Sequence, residues 1–248
     1  LDRLPIVQNV TLNSTYGTNY TTENLTVYWN AYDADNDSIK NITNWYRNGT
    51  SIMVLNMPFE GGSNSTWTRD YSGFGNDGNV SGASYKPAGG YDGFGAYSFD
   101  GGDYITIGNG TEFETGTLTV SAWVKLNKTT GFQGIVTKRS CCTDATTLQW
   151  SLQTDGTNND YRFAVKVGNT VYWTDSTATM NTGWINLVGT YDNETVKLYV
   201  NGTLDNQNTA PSGAMDSLPG IPVVIGARSD GTSPYTGRAD FLNGTIDE

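Results

Sequence analysis

The sequence predicts an all-β chain folded as an antiparallel β-sandwich, on three observations. No stretch carries apolar residues at i, i+3, i+4 and i+7, so nothing reads as an amphipathic helix. Short runs of strict apolar/polar alternation recur, the pattern of strands with one buried face. Gly, Asn and Asp separate these runs roughly every 10–15 residues, the spacing of reversals in a sandwich or jelly roll.

The elements fall into two groups. PIVQNVTL, LTVYWNAYDADND and IKNITNWYRNGTSI read as three or four strands of a small first module, with Trp29 and Trp45 as candidate core aromatics. Its acidic turn, Asp33–Asp37, has the spacing of the start of an EF-hand loop but lacks the Gly and the distal Glu that calcium needs there. The second group starts near Met53. In TLTVSAWVKL, Leu118, Val120, Ala122, Val124 and Leu126 share a face. So do Tyr161, Phe163, Val165 and Val167, and again Val196, Leu198 and Val200, after which NGT at 201–203 supplies a tight reversal.

Composition narrows the function. Formal net charge is −11 with no histidine. An acidic chain without a basic stripe does not bind nucleic acid through phosphates, nor an anionic lipid surface. Without histidine there is no Ser-His-Asp triad and no His-ligated metal. No apolar run is long enough for a membrane span. The chain begins at Leu1 rather than Met. A removed leader or a longer parent chain is the expectation.

The triplet Asn-X-Ser/Thr occurs at Asn9, Asn13, Asn19, Asn24, Asn36, Asn41, Asn48, Asn64, Asn79, Asn109, Asn127, Asn193, Asn201 and Asn243. That is about threefold more than the composition predicts, and reads as N-glycosylation of an extracellular or cell-surface protein. The competing reading is that Asn, Gly and Thr are good turn residues. Cys141 and Cys142 are adjacent and are the only cysteines. A strained vicinal disulfide, a bridge to another subunit and two free thiols all fit.

Several phrases in order carry a resemblance. They are MPFE (57–60), DYSGFGNDG (70–78), YSFDGGDYITI (97–107), LTVSAWVKL (118–126), WINLVGTYD (184–192), VKLYVNGT (196–203) and LNGTIDE (242–248). Residues 53–248 resemble the laminin-G-like, concanavalin A-like jelly-roll superfamily in its microbial form. The resemblance implies a jelly roll over 53–248, cut within its last strand, after a partial immunoglobulin-like module at 1–52. That first piece resembles repeats of archaeal and bacterial surface proteins. One departure is Asn186, where the family often has histidine.

The resemblance also nominates a structural calcium site. The glycine-rich loop offers Asp70, Asn76 and Asp77, and the family places the Asp of the final strand, here Asp247, beside it. The competing reading is a plain turn whose Asp caps backbone amides. The Glu-X-Asp-X-X-Glu strand of related glycosidases is absent, and Glu112, Glu114 and Glu194 sit in loops or turns, so no catalysis is expected. Trp123, Trp150, Trp173 and Tyr235 are candidate sugar platforms, though each reads more readily as packing.

Two functions follow. One is a glycosylated structural unit, assembling with copies of itself by strand addition at the unfinished strand, Ile246–Glu248. The other is an adhesin module that binds glycan or a partner. A longer parent chain would equally account for the unfinished strand.

Overall fold

The computed structural model describes residues 3–18, 20–140, 147–210, 212–229 and 237–248. Asn19, Tyr235 and the Cys141–Cys142 pair lie outside the described residues. The chain forms two compact units, Leu1–Thr43 and Asn44–Glu248.

In the first unit, β1 (Ile6–Ser14) pairs antiparallel with β2 (Leu25–Tyr32), from Ile6↔Tyr32 to Ser14↔Leu25. The register shifts between Gln8 and Thr11, where Asn9 adopts φ 55°. The acidic turn after β2 is closed by its own first residue, since Asp33 Oδ1 accepts the amides of Asp35 and Asp37 at 2.8 and 3.3 Å. Trp29 is half-exposed and donates its indole N–H to Asn41 Oδ1 at 3.0 Å. Val7, Val10, Leu12 and Leu25 are all exposed, so this hairpin has no core of its own among the described residues.

The second unit contains β3 (Tyr46–Arg47), β4 (Thr50–Ser51), β5 (Trp67–Thr68), β6 (Gly78–Ser81), β7 (Ser84–Lys86), β8 (Ala96–Asp100), β9 (Tyr104–Gly108), β10 (Leu118–Leu126), β11 (Gln133–Arg139), β12 (Leu148–Asp155), β13 (Asp160–Val167), β14 (Thr170–Thr179), β15 (Trp184–Tyr191), β16 (Thr195–Val200), β17 (Thr203–Thr209), β18 (Val223–Ile225), β19 (Arg228–Ser229), β20 (Arg238–Ala239) and β21 (Asn243–Asp247). The compact units divide at 43/44. The physical reason is polar. Asn44 Nδ2 donates to the carbonyls of Tyr71 and Ser72 at 3.1 and 2.9 Å, and Ser51 Oγ donates to Asn44 Oδ1.

Two antiparallel sheets make the sandwich, ordered β17-β16-β15-β10-β21-β8-β7 and β14-β13-β12-β11-β18-β9-β6-β5. The alternation read from the sequence sets their inner faces. Tyr161, Phe163, Val165 and Val167 face Ala122, Val124, Leu126, Leu187, Val196 and Leu198 in one continuous core. Each such side chain stabilises the fold by about 1.5–3 kcal/mol. Gly189 sits on β15 where a Cβ would overlap the Phe163 ring, so glycine lets the two sheets close.

The last strand is not an edge. β21 is paired on both sides, by β10 and by β8. Along β10 it pairs with Trp123–Leu126.

Candidate functional site

β12, β13 and β14 turn their alternate residues away from the core, and there they carry a polar patch. Asp155 ends β12 and Asp160 opens β13, paired directly across the hairpin. Asn159, at φ 58°, makes the reversal between them. Arg162 faces Gln153 on one side and Asp175 on the other. Its Nε donates to Asp175 Oδ1 at 2.5 Å, and its Nη2 donates to Asp155 Oδ2 at 2.6 Å and to Asp175 Oδ2 at 2.8 Å. The same guanidinium lies 5.2 Å from the centre of the Trp173 ring, a cation–π distance. Trp173 is 46% exposed. Gln153 extends the patch by accepting Arg139 Nη1 at 2.8 Å.

The electrostatics are uneven. Burial, then the charges of Asp175 and Asp155, push the Asp160 carboxyl up to about 6. Burial opposes the charge of Arg162, but hydrogen bonding and attraction from Asp175 lead the effects that outweigh it.

A second feature is an apolar cleft of about 900 Å³ beside Leu118–Ala122 of β10. Val54, Leu118, Val120, Trp150, Val223 and Ile246 are among the residues lining it. Glu248 also lines it, so the cleft continues the line of β21.

The nominated calcium residues are placed apart in function. The Asp70 carboxylate accepts four hydrogen bonds, from the amides of Asn56, Ser72 and Asn76 and from Ser72 Oγ. Asn76 Nδ2 donates to the Val54 carbonyl. Asp77 Oδ1 accepts the Asp70 amide. Asp247 instead accepts the Tyr91 amide at 2.8 Å, against Gly90. Asp70 therefore acts as the organiser of its own loop. Among the described residues, the metal-competent group of three carboxylates is Asp155, Asp160 and Asp175.

Of the candidate platforms, Trp150 is buried and Trp123 is covered by Tyr91, stacked at 3.5 Å and 10°. Trp173 alone of the described candidates is largely exposed. Twelve of the described sequon asparagines are exposed, whereas Asn243 is half-buried within a strand paired on both sides. Asn9, Asn36, Asn48, Asn193 and Asn201 have φ between 50° and 76°, a left-handed backbone that asparagine tolerates, which accounts for asparagine at those five. The Arg162 cluster escaped the sequence reading. Its signal was present in Asp160 and Arg162, which alternate with the recognised core residues Tyr161 and Phe163.

Comparison places this arrangement in a class. The profile of the concanavalin A-like lectin/glucanases superfamily matches residues 99–248, and the chain belongs to that superfamily. The expected membership is met there.

Among solved structures, domain 4 of the extracellular GH43 arabinanase AbnA from Geobacillus stearothermophilus, in complex with arabinotriose, is similar at 18% identity and TM-score 0.51, covering 72% of this chain and 82% of that domain. Trypanosoma rangeli sialidase in complex with sialic acid is similar at 12% identity and TM-score 0.53, covering 77% of this chain but 29% of the sialidase. The CBM40 domain of Ruminococcus gnavus IT-sialidase, bound to α2,3-sialyllactose, is similar at 15% identity and TM-score 0.50, covering 61% of this chain and 86% of that one. At these identities the likeness is one of fold. A search of curated protein sequences finds no match. No helix among the described residues is long and apolar enough to cross a membrane.

Proposed function

We propose that this chain is a non-catalytic extracellular module that binds carbohydrate on the outer face of β12–β14. The observation that carries the reading is the exposed Trp173 beside Arg162 and three carboxylates. An aromatic face stacks on the apolar face of a sugar, while guanidinium and carboxylate groups hydrogen-bond its hydroxyls. Such pockets combine an aromatic surface with a few placed polar groups. Two of the similar structures were solved with bound sugars in domains of this fold, which supports the choice of ligand class.

The non-catalytic reading rests on how the acids are used. Glu114 is held by Lys138, Ser217 and Leu218. Asp155 and Asp175 are both engaged by Arg162, and Asp160, which is not, is buried at 7% exposure. Exposed sequons support an extracellular, glycosylated surface.

A glycan array tests this reading. Binding that Trp173→Ala abolishes in a folded protein supports it. An absence of binding across a broad array, with calcium present, sinks it.

The cleft favours a second reading, a structural unit assembling head to tail. A β-strand from another copy would hydrogen-bond Leu118–Ala122 and bury apolar side chains in the cleft. Such a heterologous contact repeats into an open fibre. Electron microscopy of the native, glycosylated protein decides it. Filaments with a strand beside β10 support assembly, and dispersed particles with the cleft closed from within oppose it.

A further inference from the structure

Asp155, Asp160 and Asp175 each offer one oxygen, and these oxygens lie within 4.8 Å of one another. Arg162 reaches two of the three carboxylates and leaves Asp160 out. Asp160 is 7% exposed, and its buried Oδ1 accepts no hydrogen bond. A buried carboxylate oxygen without a donor is unfavourable. Directly opposed like charges on a β-ladder are unfavourable too, and Asp155 faces Asp160 in that way. Three ionised carboxylates and one guanidinium sum to −2, from three charges of −1 and one of +1. A divalent cation brings that sum to zero.

We propose that Asp155, Asp160 and Asp175 bind one calcium ion, with Asp160 as its principal ligand. The donors are all oxygen, which selects a hard cation over zinc or copper. Calcium suits the site better than magnesium because it accepts an irregular shell completed by backbone carbonyls and water. The Asp175 side chain is 25% exposed, which leaves the site a path to solvent. The bonds to Arg162 use one lone pair of each oxygen they reach and leave another for the metal. The ion would tie the β12–β13 hairpin to β14. It lies on other residues than the Asp70 loop and requires no bound sugar.

The test uses the whole chain, with calcium alone and with terbium as a luminescent substitute. Calorimetry is expected to give one calcium per chain at this site. Saturation at about a hundredfold excess over the dissociation constant should raise Tm by roughly 5 °C. Terbium emission excited through tryptophan should appear, and Trp173→Phe should weaken that emission while leaving calcium affinity intact. Asp160→Asn should weaken calcium binding at least about tenfold, as expected for loss of a principal ligand. Asp175→Asn, at a more exposed position, should weaken it too and gives the answer if the first variant does not fold. No calcium-dependent heat or Tm change in the folded wild type overturns the proposal. So does unchanged affinity in a folded Asp160→Asn variant. Because no sugar is present, a negative glycan array leaves this result untouched.

Discussion

Single residues in this protein matter most where charge is buried. Lys138 is fully buried on β11, with Nζ 2.8 Å from Glu114 Oε1 and donating to the carbonyls of Leu218 and Ile221. Burial works against the Glu114 charge, but hydrogen bonds from Lys138, Ser217 and Leu218 hold its carboxyl below the ordinary 4.5. A depressed carboxyl stabilises the fold above the unfolded value, and this contribution is lost as pH falls through the folded one. Chemical denaturation of wild type and Glu114→Gln should therefore converge as pH drops below about 4.5. Lys138→Met at neutral pH should cost about 3 kcal/mol by leaving Glu114 uncompensated, and Glu114→Gln added to it should recover most of that. Asp70→Ala strands four donors and should cost about 3 kcal/mol by urea titration. Asp70 was legible in the sequence as a loop residue. That its carboxylate also binds the Asn56 amide was not, because Asn56 lies before the loop and only the fold brings it there.

At the scale of elements, the alternation rule worked where a strand has one wet face and one dry one. Phe163 and its neighbours are legible in the sequence because their period matches the pleat. Gly189→Ala should destabilise by about 1–3 kcal/mol, since the new methyl overlaps the Phe163 ring in a sandwich already closed. Its melting curve should shift without loss of β-sheet circular dichroism. The final strand lies between β8 and β10 rather than at the end of a sheet, because sheet order, not chain order, decides which strands are neighbours. Val120→Lys puts a charge in the cleft where an added strand would bury apolar side chains, and should abolish fibre formation if the second reading of function holds.

On the scale of the whole molecule, the two units differ in what holds them together. Leu1–Thr43 has a hairpin whose apolar side chains are exposed, while Asn44–Glu248 carries the continuous core. A chain starting at Asn44 is therefore expected to retain the main thermal transition, within a few degrees, in calorimetry. Loss of that transition would show that the core depends on the first unit. The amino-acid sequence by itself determined the all-β class, the inward faces and superfamily membership, because strand period and turn chemistry are local and the phrases are contiguous. Tertiary structure alone decided the patch and the cleft. Asp155, Arg162 and Asp175 come from three strands and meet only through register, and the cleft is lined by residues as far apart as Ile52 and Ile246. Both are made by pairing across long stretches of chain, which no local pattern records.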